Sequence, residues 1–228
     1  MVKYYKKKFF KEKKIQSLKK SLILLKKYSC RKFNESLDIS VIIDLKKNKN
    51  VNIVNCVKLP YLANFNTKIL VFLSEDQRRY KLEIKKLYND VKVIILKENL
   101  SKNLKKYLKC NIVISSLKAL KFIKKISSLL SPRNFVLNEN FGTITDDVLN
   151  SIKDFKKNKI IYKSDKYGVI NSKIGDLILE NKKLENNFIK FINSVKYYKT
   201  RENISLKIKR VYLTTTMGLS FIIKSDFF

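Results

Sequence analysis

The strand-like segments of this sequence follow two hydrophobic patterns, and the pattern changes twice along the chain. In residues 36–44 apolar side chains alternate with mostly polar ones, which is typical of an antiparallel strand with one buried face. Residues 68–73, 91–96 and 111–115 are instead continuous apolar runs, the pattern of parallel strands that are buried on both faces. From residue 159 the alternating pattern returns. Because the two end segments share a pattern that the middle lacks, the sequence predicts two sheets of different type.

Helical periodicity completes this organisation. Apolar residues at helical spacing predict one amphipathic helix from Ile15 to Leu25 and another from Leu184 to Val195. Helices are also expected between and after the apolar runs, at 78–88, 100–109 and 117–130, and from Thr145, which we interpret as an N-cap.

These elements predict a split chain. The predicted fold is an α+β terminal domain, an antiparallel sheet with two helices, built from residues 1–62 and 159–228. An α/β Rossmann-like domain with a parallel sheet is inserted at 63–158.

Three strand placements are expected in the terminal domain. Residues 51–59, which end at Pro60, are expected to pair with 36–44. Residues 160–163 and 169–174 flank a loop that ends in glycine and predict a hairpin. The β-branched and aromatic stretch 206–216 predicts an edge strand whose consecutive threonines place hydroxyl groups on both faces.

The charge of the chain indicates a polyanionic partner. There are 51 Lys and Arg residues against 19 Asp and Glu, a formal net charge of +32. Nucleic acid fits this charge best, because neutralising phosphates releases condensed counterions. A membrane surface is the competing partner, but no apolar run approaches the ~20 residues of a spanning helix and the lysines are spread along the chain. The sequence therefore predicts no membrane association.

Residues that carry enzyme chemistry are scarce. The chain has no histidine, the commonest general base and metal ligand, and its three cysteines form no CxxC pair. The four glycines match no phosphate-binding loop. We therefore predict a protein that is not an enzyme and that has no cofactor, metal or small-molecule substrate.

Three short stretches are candidates for contacts with RNA. Lys32 and Phe33 join a charge to an aromatic ring; burial is the commoner fate of a phenylalanine, and stacking on a base is the alternative. Asp165 and Lys166 lie in the predicted hairpin loop. Residues at such a position most often only form the turn, and the alternative is that the lysine contacts a phosphate. The threonines of 214–216 have high strand propensity, but their hydroxyls also suit phosphate and ribose oxygens.

Five ordered motifs resemble those of the ribosomal protein L-one family, which belongs to the mobile stalk of the large subunit. They are KFNESLDISV at 32–41, Leu59-Pro60, SPRNFVLNENFGTIT at 131–145, YKSDKYGVINSKIG at 162–175 and VYLTTTMG at 211–218. Both prolines and all four glycines fall where the family pattern has them. Departures lie mainly in the predicted insertion, where Ser131 and Asn134 replace glycines and Leu137 replaces a proline.

The resemblance implies a function and a set of contact residues. It implies binding to large-subunit rRNA of the stalk, assistance in the release of tRNA from the exit site, and repression of the protein's own mRNA. It also implies, by the three motifs that match, these RNA-binding residues: Lys32, Phe33, Ser36, Asp165, Lys166, Thr215, Thr216, Met217 and Gly218.

Two further classes of function stay open at the level of sequence. One is a general nucleic-acid-binding, nucleoid-type protein, which the charge alone would support. The other is an enzyme that uses the α/β insertion, although that insertion lacks a phosphate-binding loop. The Lys-, Asn- and Ile-rich composition indicates an AT-rich genome. The resemblance implies a ribosome in the cytoplasm of a bacterium, with an organellar ribosome as the alternative.

Overall fold

The computed structural model describes residues 15–29, 31–44, 53–61, 67–95, 110–123, 135–198 and 206–224. It is a mixed α/β structure with an antiparallel sheet and a separate parallel sheet. The chain forms two compact units, Met1–Leu62 with Ile160–Phe228, and Ala63–Lys159. The predicted helix at 100–109 lies outside the described residues.

The first unit contains a four-stranded antiparallel sheet. Its strands are β1 (Ser36–Ile43), β7 (Val169–Asp176), β8 (Ile208–Thr215) and β9 (Ser220–Ile222), in the order β7-β1-β8-β9. β1 pairs with β7 on one side and with β8 on the other. Because β8 also pairs with β9, the prediction that it is an edge strand was wrong.

Alternation along β1 builds the core of this unit. Every second residue of β1 is buried, as predicted, because one face of the sheet is covered by helices. These helices are α1 (Leu18–Tyr28) and α4 (Asn181–Lys196), whose apolar residues join one hydrophobic cluster with the sheet. The start of α1 differs from the prediction, since Ile15 precedes the helix and is 58% exposed.

A second, two-stranded sheet pairs β2 (Val54–Lys58) with β6 (Lys159–Lys163). The expected pairing of 51–59 with β1 was therefore wrong, because both sides of β1 are taken by β7 and β8. β6 and β7 flank the turn at 165–168 as predicted, but they belong to different sheets and meet only through the bridge of Ser164 and Ile170.

The unit Ala63–Lys159 contains a three-stranded parallel sheet. Its strands are β3 (Ile69–Leu73), β4 (Lys92–Ile95) and β5 (Ile112–Ser115), in the order β4-β3-β5. All five residues of the central strand β3 are buried, which explains its continuous apolar run. The parallel pairing predicted from that pattern is confirmed.

Within its described residues this unit contains the helices α2 (Arg78–Leu87) and α3 (Val148–Lys157). The N-cap of α3 is Asp147, whose carboxylate accepts a hydrogen bond from the Asn150 N–H, and not Thr145. The Thr145 hydroxyl oxygen instead accepts a hydrogen bond at 3.1 Å from the N–H of Asp147, the residue that precedes the helix. The predicted helix at 117–130 is described only as far as Ile123.

Candidate nucleic-acid interface

The start of β1 meets the end of β8, and this junction brings together three predicted site residues. Leu37 lies opposite Thr215 in the register of the two strands. One step outward, the Ser36 N–H donates to Thr216 Oγ1 at 3.0 Å and the Thr216 N–H donates to the Ser36 carbonyl at 3.2 Å. The two hydroxyl oxygens are also 3.0 Å apart. The start of β1 and the end of β8 are thus joined through side chains that the motifs single out.

The direction of these hydrogen bonds follows from Asp38. The Ser36 hydroxyl lies 3.1 and 3.2 Å from the two carboxylate oxygens of Asp38 and donates to them, because an ionised carboxylate only accepts. The Thr216 hydroxyl therefore donates its own hydrogen to Ser36 Oγ. With one lone pair taken by the Ser36 N–H, Thr216 Oγ1 keeps one acceptor position.

Partial burial affects the charge of this junction. Burial raises the pKa of the Asp38 carboxyl above its ordinary value, while the hydrogen bond from Ser36 and the charge of Lys173 act in the opposite direction. Lys173 itself pairs with Asp176 at 2.6 Å. Asp38 and Asp176 thus place two carboxyl groups at the start of β1 in a chain whose net charge is +32.

The turn after β8 projects from the junction. The Gly218 N–H donates to the Thr215 carbonyl at 3.3 Å, which closes the turn, and the Met217 side chain is 59% exposed. Gly218 does not have a positive φ angle. A Cβ atom at this position would collide with Thr215 Oγ1 and would lie 3.6 Å from Glu35 Oε2. Glycine is thus required here by lack of space.

Lys32 and Phe33 lie just before β1, and both are exposed. Phe33 has 51% of its surface accessible, so the commoner expectation of a buried phenylalanine was wrong. An exposed ring beside a lysine suits stacking on a base.

Asp165 and Lys166 lie at the other end of β1. Asp165 Oδ1 accepts hydrogen bonds from the Tyr167 and Val169 N–H groups at 2.9 and 2.8 Å, which organises the turn, and Gly168 completes it with a φ of 77°. The Gly168 carbonyl accepts from the Ile43 N–H at the last residue of β1. At ~3.4 Å per residue, this turn is about 24 Å from Ser36 along the strand. The structure therefore divides the predicted site residues into two groups, one at each end of β1.

Glu35 is a buried residue of the junction that the sequence analysis did not single out. Its side chain is only 2% exposed and lies beside the turn that Gly218 closes. The signal was present in the sequence, because the inward positions of β1 are odd-numbered from Leu37 onwards and Glu35 continues that series. A glutamate at an inward position was overlooked because this residue type is ordinarily exposed.

Within the described residues there is no group of three or more His, Cys, Asp or Glu side chains that could hold a metal ion. No helix in the described parts of the chain is long and apolar enough to cross a membrane. Among the described residues, Cys56 and Cys110 are not joined by a disulfide.

Comparison with known proteins agrees with the motifs at this junction. The model of the Ribosomal protein L1p/L10e family matches residues 25–219. The chain belongs to this family. A protein of the L1p/L10e family has a structural role in the large ribosomal subunit, and it works in the cytoplasm as part of the ribosome.

Bacterial relatives resemble the chain over nearly its whole length. The large ribosomal subunit protein uL1 of Wigglesworthia glossinidia brevipalpis is 33% identical over 208 residues, which are 90% of this chain and 84% of the relative. That of Buchnera aphidicola subsp. Cinara cedri (strain Cc) is 33% identical over 215 residues, 93% of this chain and 92% of the relative. That of Buchnera aphidicola subsp. Acyrthosiphon pisum (strain Tuc7) is 30% identical over 212 residues, 92% and 89% of the two chains.

Proposed function

We propose that the chain binds large-subunit rRNA of the stalk, and that the junction of Ser36 with the turn 215–218 is the centre of the contact. The observation that carries this proposal is the hydrogen bonding of Ser36 to Thr216, which sets an exposed turn of motif residues beside the start of β1. The net charge of +32 supplies attraction to the RNA backbone.

The free acceptor position of Thr216 indicates what the junction contacts. A lone pair on Oγ1 suits a hydrogen-bond donor, such as a ribose 2′-hydroxyl, and it does not suit a phosphate oxygen, which only accepts. Lysines supply the phosphate contacts, with Lys32 at this end of β1 and Lys166 at the other. Phe33 and Met217 supply exposed apolar surface for bases.

The two units take different roles in this proposal. Met1–Leu62 with Ile160–Phe228 is the RNA-binding domain, because it contains every proposed contact residue. Ala63–Lys159 is an inserted, Rossmann-like α/β domain. The complex assists the release of tRNA from the exit site, and the same RNA-binding surface represses translation of the protein's own mRNA when that message carries a similar fold.

Replacing Thr216 by valine tests the junction. The Thr216→Val substitution keeps the shape of the side chain and removes the hydroxyl, so it should weaken binding to a stalk rRNA fragment about tenfold at fixed salt, the loss of one or two hydrogen bonds. Affinity is measured by filter binding or calorimetry. Thr67→Val, the same change in the unit Ala63–Lys159, is the control and should leave the affinity unchanged. Equal affinities for the two variants would refute the assignment of the junction.

A general nucleic-acid-binding protein is the second candidate, favoured by the charge of +32. That function predicts equal affinity for duplex DNA and for the stalk rRNA fragment at physiological salt, since phosphates alone would be contacted. Stalk binding predicts a clear preference for the RNA, which the DNA control in the same experiment would show.

A further inference from the structure

Asp38 lies on the half-exposed face of β1, on the same side of the strand as Ser36. Its register partners are Lys173 of β7 and Thr214 of β8. Both make other contacts, since the Lys173 ammonium pairs with Asp176 at 2.6 Å and the Thr214 hydroxyl donates to a backbone carbonyl at 3.1 Å. Among the described residues, the hydrogen bond to the Asp38 carboxylate comes from the Ser36 hydroxyl, which lies 3.1 and 3.2 Å from its two oxygens.

The hydroxyls of Ser36 and Thr216 can be arranged in two ways. In the first, the Ser36 hydrogen points to Asp38 and the Thr216 hydrogen points to Ser36 Oγ, 3.0 Å away. Thr216 Oγ1 also accepts from the Ser36 N–H, so one lone pair is left for a ligand. In the second, the Ser36 hydrogen points to Thr216 Oγ1, and the Thr216 hydrogen is left for a ligand instead. The exposed Thr216 hydroxyl therefore presents an acceptor in one arrangement and a donor in the other.

We infer that Asp38 is a positioning residue that sets the specificity of the junction, because its carboxylate holds the two hydroxyls in the arrangement that presents an acceptor. An ionised carboxylate cannot donate, and a hydrogen bond to a charged group is stronger than one between two hydroxyls. The Ser36 hydrogen is therefore directed to Asp38. The lone pair of Thr216 then suits a ribose 2′-hydroxyl, whereas a deoxyribose has no hydrogen to offer it. This inference rests on the proposed function.

Single 2′-deoxy substitutions in a stalk rRNA fragment test the inference with the full chain. The unaltered chain should lose affinity about tenfold for the deoxyribose at the contact, because the lone pair of Thr216 is left without a donor. Asp38→Leu removes the acceptor of the Ser36 hydrogen, which then turns to Thr216. The penalty for that deoxyribose should fall below about threefold in this variant. Filter binding at fixed salt gives the affinities for the two RNAs.

The ratio of the two affinities separates positioning from charge and from stability. Removing a carboxylate strengthens attraction to the phosphates of both RNAs alike, and partial unfolding weakens binding to both alike, so neither effect changes the ratio. Asp38→Glu keeps a carboxylate and should retain the tenfold penalty. Asp176→Asn is the matched control, since it removes a charge at the same end of β1 and leaves the bond between Ser36 and Asp38 in place.

Asp38→Ala removes the same acceptor with a smaller side chain, so the test does not depend on how leucine is accommodated. It should give the same reduced penalty as Asp38→Leu. If no single deoxyribose weakens binding by the unaltered chain, the proposed ribose contact fails, and the inference fails with it. If that penalty is present and both variants keep it in full, or both lose all binding to the stalk fragment, the ribose contact stands and the role of Asp38 alone is refuted.

Discussion

Gly218 shows how one residue constrains the candidate interface. A glycine can be required by a positive φ angle or by the close approach of another group, and the φ angle of Gly218, which is not positive, leaves the second reason. The neighbour is the buried hydroxyl of Thr215, whose β-branched side chain has little freedom to move away.

The Gly218→Ala variant should therefore be destabilised through crowding. Its added Cβ collides with Thr215 Oγ1, and overpacking of this kind lowers the free energy of unfolding by about 1–3 kcal/mol. Urea unfolding of the variant measures the change. The double variant Gly218→Ala with Thr215→Ala removes the colliding atom and should recover part of the lost stability. A double variant less stable than Gly218→Ala alone would show that crowding is not the cause.

At the scale of elements, β1 organises the first unit. Alternation of Leu37, Ile39, Val41 and Ile43 was sufficient to predict a strand with one buried face, because burial of every second residue depends only on local periodicity. The partners of that strand depend on residues more than 100 positions away. The neighbouring segment 51–59 has an equally suitable pattern, so periodicity alone could not exclude it.

β1 also separates two kinds of proposed contact. Lys166 at the far end of the strand is exposed, and we propose that it contacts a phosphate. Lys166→Ala should weaken stalk binding modestly and reduce the slope of log affinity against log salt by about 0.9, the contribution of one phosphate contact. Affinities at four or more salt concentrations give this slope. The exposed Lys153 of α3 provides a matched control, and Lys153→Ala should leave the slope unchanged. Equal slopes for the two variants would remove Lys166 from the site.

At the scale of the whole molecule, two hydrophobic patterns predicted two kinds of sheet, and both are present. The pattern succeeded because β3 is buried on both faces whereas β1 has one half-exposed face. Helix starts were less predictable, since Thr145 and Asp147 are both suitable caps and only the hydrogen bond from the Asn150 N–H to Asp147 identifies the cap. The motifs were sufficient to predict the residues of the candidate site. The finding that these residues form two groups, one at each end of β1, required the register of the strands.

The charge of +32 accounts for attraction to any nucleic acid, so we propose that specificity comes from the junction. A buried carboxylate at Glu35, a half-buried one at Asp38 and the acceptor of Thr216 disfavour a phosphate there. A protein with this arrangement should bind one RNA fold more tightly than other nucleic acids, which offer phosphates alone.

A hydroxyl-radical footprint of the full chain on complete large-subunit rRNA tests this claim most directly. With excess duplex DNA present as competitor, we predict protection of riboses within a single element of the stalk, and loss of that protection with the Thr216→Val variant. Protection spread over many rRNA helices and abolished by the DNA would contradict the account, because it would show binding by charge alone.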